Sequence, residues 1–383
     1  MKKDTFLYIN AFLMDCCFSI VGVCVPLHAL QFGATYDDLG WINTCGAFAY
    51  TLTSLVSGRL ADRMGYRPVM TIGCVFLALS FVGYLGVNRI WHFVLLSVLV
   101  GVAIAHYWPP MQAWLGRGKS RDMLLPALGR FNVAWTLGVC IGPATGGELF
   151  EFHPFSGFIL GGFLVVLLFV GLLVVPILES EPDAAAKRSV AATSGHFLPL
   201  ALLANFATFF AIGLVRALFP KLATDLDISP SLLGYLLALI ALTQLAVFYF
   251  MSRTDRWQFR LSPIILAQLL AAFGLGLIGI GTQPIVFACG FLLLGGLIGV
   301  TFTASIFYSL YAEGPGGRRT GIHEAIVGSG FFFGPLLGGL VAEYFNARLP
   351  YLMGSMVILV TIGIQLFIHK MKAHSSFAPQ TGD

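Results

Sequence analysis

Apolar runs separated by short polar breaks set the pattern of the chain. Twelve of them lie near residues 6–31, 38–57, 68–88, 91–115, 123–149, 156–178, 197–222, 231–252, 261–282, 284–311, 321–344 and 350–371. Each is close to the roughly 20 residues that a helix needs to cross a hydrocarbon core. A polar stretch at 179–196, rich in Ala, Ser and charge, divides them six and six. The densest break reads GRLADRMGYRP from Gly58 to Pro68, with Arg59, Asp62, Arg63 and Arg67 bracketed by Gly58 and Gly65. So much charge in one short stretch predicts a tight turn outside the hydrocarbon.

Composition agrees with this pattern. Only 10% of the 383 residues are charged and 57% are hydrophobic, against roughly 25% charged in soluble domains. With a mean hydropathy of +0.86, the chain is expected to be an all-α polytopic membrane protein in contact with the lipid bilayer. The net charge of +4 comes from basic residues dispersed over loops, which excludes a nucleic-acid face. Seven cysteines fall inside apolar runs, odd in number and without metal spacing, so free packed thiols and no metal site are expected. The opening Met1-Lys2-Lys3 imitates a secretory signal, but the apolar run continues to about Leu30 without a small-residue cleavage site. Asp15 before Cys16 argues against a lipoprotein-type site. With no His cluster, nucleophile elbow or phosphate loop, the chain does not read as an enzyme.

Lysine and arginine accumulate in cytoplasmic loops. With the N-terminus inside, seventeen basic residues fall on the cytoplasmic side and three on the other, so both termini are expected to be cytoplasmic in the inner (cytoplasmic) membrane. Internal spacing then points to duplication. Pro26 and Gly40 are echoed by Pro220 and Gly234 at an offset of 194, and Asp62-Arg63 with Arg67 by Asp255-Arg256 with Arg260 at 193. Gly138, Gly142-Pro143 and Gly146 are echoed by Gly330, Gly334-Pro335 and Gly338 at 192. The expected domains are therefore a six-helix half at 1–178, a cytoplasmic linker at 179–196, a second half at 197–372 and a disordered tail at 373–383.

Two parallel six-helix copies suit a carrier with its site between the halves. GRLADRMGYR resembles the signature between helices 2 and 3 of the major facilitator superfamily, through Gly58, Asp62, Arg63, Gly65 and Arg67; Tyr66 departs where a basic residue is usual. The resemblance extends over the whole chain through helix count, topology and repeat. It implies a monomeric 12-helix secondary transporter of two pseudo-symmetric bundles, without cofactor, driven by a proton gradient. It also implies that Asp62 faces the positive N-terminal end of helix 11 when the cytoplasmic side is closed, and so sets the balance between outward-open and inward-open states. The Gly138, Gly142, Pro143, Gly146 pattern resembles that of the 12-helix drug:proton antiporters and favours export. Its bland reading is packing against the eighth span. Ser97, four residues before Gly101, stands where many proton-coupled members carry an arginine.

Polar residues inside the membrane carry functional hypotheses. Asp15 and His106 each lie about nine residues from the cytoplasmic end of their spans, roughly 13 Å deep at 1.5 Å per residue. Asn132, Asn205 and Thr303 fall near the same level, so a single polar layer around a central cavity is expected. Asp15 is the candidate proton carrier and His106 its candidate partner. Trp108 and Gln112 suit a flat or amphiphilic organic substrate, although a bundle also uses aromatics as filler. Arg130 and Glu324 are candidates for an inter-half bridge, and Arg216 for an anion contact. The function expected is proton-coupled efflux of a small organic solute, with uptake of a sugar or other polar metabolite as the alternative. A mostly apolar wall around Asp15 would favour the first, and dense amide and hydroxyl lining the second.

Overall fold

The computed structural model describes residues 1–119, 121–177, 194–311 and 316–375. The expected linker lies outside the described residues except for 194–196, and the expected tail except for 373–375. Among the described residues there are thirteen helices and no strand. They are α1 (Lys3–Gln31), α2 (Tyr36–Met64), α3 (Tyr66–Tyr84), α4 (Ile90–Ala105), α5 (Trp108–Gly116), α6 (Arg121–Phe152), α7 (Ser156–Val174), α8 (Ser194–Asp225), α9 (Pro230–Arg253), α10 (Ser262–Ile280), α11 (Pro284–Tyr311), α12 (Gly316–Tyr344) and α13 (Leu349–Ser375).

The fourth predicted span is the one that divides, into α4 and α5, so the thirteen helices make twelve crossings. The break falls at His106 and Tyr107, just before the prolines Pro109 and Pro110. Pro109 and Pro110 lack an N–H, so they belong in the first turn of a new helix, where no intrahelical donor is required. Ten described helices are long and apolar enough to cross a membrane, α4 and α5 counting as one. The two crossings outside that group are α2 and α6. Both pack against the opposite half, and a face covered by protein needs less hydrocarbon than one covered by lipid.

The internal repeat is visible in the packing. In the first half α1 packs on α6, α2 on α4 and α3 on α7; in the second, α8 packs on α12, α9 on α11 and α10 on α13. These are the same pairs, six spans apart. The halves meet along α2 with α12 and α6 with α9.

Glycine decides these approaches. A Cβ at Gly138 would lie 2.5 Å from the Phe12 carbonyl oxygen, and one at Gly146 would lie 2.6 Å from that of Ile20. The stripe Gly138, Gly142, Gly146 therefore packs on α1, not on the eighth span as its bland reading had it. On the next face of α6, Gly147 meets Pro230, and the Pro143 carbonyl meets Gly234. The second half repeats the division: Gly330, Gly334 and Gly338 pack on α8, while Gly339 and the Pro335 carbonyl meet α2 at Tyr36 and Gly40.

Contacts close the seam at both ends. Near the Gly58–Pro68 turn, a Cβ at Gly321 would lie 2.8 Å from the Ser54 carbonyl, and Gly129 abuts Ser252. At the far end a Cβ at Gly40 would lie 2.8 Å from the Pro335 carbonyl. Tyr36 there donates its N–H to Glu343 at 3.1 Å and its hydroxyl to Asp225 at 2.7 Å.

Candidate functional site

Between the halves lies a cavity of about 280 Å³. Its wall on α1 follows helical spacing through Asp15, Phe18, Ser19, Gly22 and Pro26, the three- and four-residue steps that bring side chains to one face. Asn43, Gly46 and Tyr50 extend it on α2, Ser97 and Gly101 on α4, and Trp108 with Gln112 on α5. The second half supplies Phe209 and Arg216 from α8, Gln244 from α9, Phe302 from α11, and Glu324 with Phe331 from α12. Ten aromatic side chains line the cavity against one aspartate, one glutamate and one arginine, so most of the wall is hydrocarbon and π-face.

Glu324 ties the halves together. Buried at 4% exposure, it accepts a hydrogen bond from the Tyr50 hydroxyl on α2 and another from the Gln112 amide on α5. A carboxylate withdrawn from water is stable only with such donors, and both come from the other half. This bridge sits at the end of the cavity nearer the Gly58–Pro68 turn. Beside it Trp135 packs its ring 5.4 Å from both Phe248 and Phe302, joining α6 to α9 and α11.

Asp15 and Arg216 face the cavity differently. Among the described residues neither makes a side-chain hydrogen bond or an ion pair. They act on each other through space, and Glu324 acts on Asp15 in the same way.

The expected polar layer is only partly assembled. Asp15, Trp108, Gln112, Arg216 and Glu324 reach the cavity; His106, Arg130, Asn132, Asn205 and Thr303 do not. His106 caps α4, its Nδ1 lies 2.8 Å from the Val102 carbonyl, and its ring meets Phe76 on α3, so it is no partner of Asp15. The helix break turns it away from the face that continues α4 into α5. Arg130 is exposed, and its charge acts on Tyr8 of α1, so the bridge to Glu324 belongs to Tyr50 and Gln112 instead. Asn132 accepts from the Trp135 indole at 3.1 Å and, with Thr303, borders a separate space of about 10 Å³. Thr303 spends its hydroxyl on the Gly299 carbonyl at 2.8 Å. Asn205 is fully buried, with both amide atoms unpartnered among the described residues. Asn43, Tyr50 and Gln244 were missed by sequence reasoning. Asn43 and Tyr50 stand seven residues apart with Gly46 between, a spacing that could have marked the cavity face of α2.

The charged stretch is more helical than its sequence suggests: α2 runs on through Gly58, Arg59, Asp62 and Arg63 to Met64, so the turn itself is Gly65 alone. Gly65 sits at φ 91°, and α3 begins at the very next residue. Arg67 donates to the Val175 carbonyl and covers the Phe6 ring at 5.5 Å. Arg63 is exposed, Gly58 is buried, and Asp62 is exposed with Arg117, at the end of α5, as the cation acting on it. Among the described residues Asp62 makes no hydrogen bond to α12.

A family model described as Major Facilitator Superfamily matches residues 7–310 and again residues 201–382. The chain belongs to the Major Facilitator Superfamily. As a facilitator it is a transporter of twelve membrane helices, not an enzyme. An uncharacterized MFS-type transporter of Methanocaldococcus jannaschii is 23% identical over 95% of this chain and 97% of its own length. A Rahnella protein named multidrug resistance protein MdtG is 23% identical over 98% of this chain and 95% of its own. Among solved structures, the human organic anion transporter MFSD10 superposes with a TM-score of 0.70 at 18% identity, covering 94% of this chain and 98% of that one. The nucleoside transporter NupG superposes with a TM-score of 0.66 at 13% identity, covering 96% and 100%. At those identities the superpositions speak for the shared fold alone.

Proposed function

We propose that this facilitator exports a small organic solute across the cytoplasmic membrane by alternating access, in exchange for protons. The Gly58–Pro68 turn and both termini lie on the cytoplasmic side in this reading, with one six-helix half on each side of the linker and the monomer as the working unit. The observation that carries it is the wall of the cavity. Ten aromatic residues surround a single unpaired aspartate, a surface that gains by burying apolar rings and offers a sugar few hydroxyl partners. Relatives named for multidrug resistance support the same reading.

In this scheme Asp15 carries the proton, because a carboxylate in a mostly apolar cavity titrates according to which charges and how much water reach it. The Glu324 bridge holds the cytoplasmic end shut and must part for that end to open. Asp15→Asn in proteoliposomes is expected to abolish flux driven by a pH gradient while leaving downhill counterflow; flux with unchanged pH dependence would remove Asp15 from the coupling. The second reading, uptake of a sugar or other polar metabolite, draws on the three amides Asn43, Gln112 and Gln244 in the wall. Flux inward with the proton, measured in the same vesicles, would select it.

A further inference from the structure

The α1 and α8 walls correspond residue for residue. At the repeat offset of 194 that relates Pro26 to Pro220, Asp15 maps onto Phe209, Phe18 onto Ile212, Ser19 onto Gly213 and Gly22 onto Arg216. All eight line the cavity, so the two helices present equivalent faces to it. Their chemistry diverges at both ends of these faces. Where α1 places its carboxylate, α8 has a phenyl ring; where α8 places its guanidinium, α1 has no side chain at all.

The pairing of Gly22 with Arg216 is informative because packing does not require this glycine. Most cavity and seam glycines abut backbone: Gly46 meets Ser97, Gly101 meets Gly46, and Gly213 meets Phe331. A Cβ at Gly22 would meet no protein atom within 4 Å. The space in front of it is open, and Arg216 stands at the equivalent level of the other half. Arg216 is the one Lys, Arg or His side chain among the residues lining the cavity. Its guanidinium has no ion-pair partner among the described residues, and Asp15 lies seven residues, roughly 10 Å of helix, below the Gly22 level. A planar fork of donors without a protein acceptor is suited to a carboxylate or similar oxyanion, and the aromatic walls suit a flat body.

We infer that Arg216 and the open face of Gly22 form an anion subsite in the half of the cavity remote from the Gly58–Pro68 turn, and that the solute is a planar aromatic monoanion. The inference rests on the carrier reading and names its substrate class. Arg216 holds the oxyanion, and Gly22 leaves room for the ring system that carries it. Asp15, two helical turns from Gly22 on the same wall, acts on Arg216 through space without forming an ion pair with it.

Three probes of one shape test this: 2-naphthoate, 2-naphthamide and 2-naphthylmethylammonium. Binding to the purified full-length protein is measured by calorimetry, and counterflow is measured in proteoliposomes. Naphthoate is expected to bind at least about tenfold more tightly than naphthamide. Arg216→Gln should remove that difference while leaving naphthamide unchanged, and Arg216→Lys should keep part of it. Should Arg216→Gln fail to fold, the wild-type comparison still decides the preference. Gly22→Leu, whose added atoms begin in open space, should weaken naphthoate about tenfold or more at unchanged melting temperature. Equal binding of naphthoate and naphthamide by the wild type, or full naphthoate affinity in Gly22→Leu, would overturn the subsite. Preference for the ammonium probe with measurable counterflow also overturns it but leaves the carrier reading standing. Arg216-dependent naphthoate binding without counterflow keeps the anion subsite but overturns the aromatic monoanion as the carried solute.

Discussion

At the scale of single residues, the bridge at Glu324 shows how one carboxylate can report which ends of a carrier are closed. Its two donors, Tyr50 and Gln112, lie in the other half, so both bonds must break when the halves part. Tyr50→Phe leaves the carboxylate one donor short in a buried site, which costs about 1–3 kcal/mol. The expected result is a lower melting temperature in detergent together with a shift, in label-to-label distances across α2 and α12, away from the closed arrangement. An unchanged distance distribution would mean that the bridge is structural only. Sequence reasoning reached Glu324 and Gln112 because polar groups in apolar runs stand out. It missed Tyr50, since a tyrosine in a membrane helix reads as filler until its hydroxyl has a partner.

At the scale of elements, helix-to-helix distance is set by backbone, and so by glycine. Gly101 on α4 sits against the Gly46 carbonyl of α2, leaving no room for even a methyl group. Gly101→Ala must push the two helices apart, and overpacking of this kind typically costs about 1–3 kcal/mol. Gly162 on α7 is the control, since a Cβ there would meet nothing within 4 Å. Gly162→Ala is expected to be neutral or to stabilise by about 0.5–1 kcal/mol through helix propensity alone. Thermal unfolding of the two variants side by side checks both statements. Both glycines lie in apolar helices, and their chain neighbours do not tell them apart; the difference belongs to the facing helix.

At the scale of the whole molecule, the seam remote from the charged turn carries its own acid-sensitive contact. Glu151, in the last turn of α6 beyond the expected span, accepts hydrogen bonds from the Ser231 N–H at 3.1 Å and from the Ser231 hydroxyl. These donors hold its carboxyl below the usual carboxylate range. A depressed pKa contributes stability that is fully present above the unfolded value, near 4.3, and is lost as pH falls through the folded value. The contact should therefore persist at neutral pH and release only in strong acid. Glu151→Gln should lower the melting temperature slightly at pH 7, where the contact is intact, and converge with the wild type toward pH 3, so that the fall of melting temperature between pH 5 and pH 3 flattens.

Long apolar runs, the charge asymmetry of the breaks and three echoed markers were enough to determine twelve membrane helices in two related halves. Those features are local or periodic: a span needs about 20 apolar residues wherever it packs, and a duplication leaves its spacing in the chain. Which polar residues share a cavity is not local. Asp15, Gln112, Arg216 and Glu324 come from four helices, and His106, at the depth of Asp15, faces α3 because the chain breaks at that residue. Depth along a helix can be read from the sequence. Azimuth cannot be read once a break resets it, and the partner of a glycine stripe is a property of the facing helix. Only the tertiary structure therefore decided that Gly138, Gly142 and Gly146 pack on α1, that Tyr50 completes the Glu324 bridge, and that Gly22 and Arg216 line one cavity.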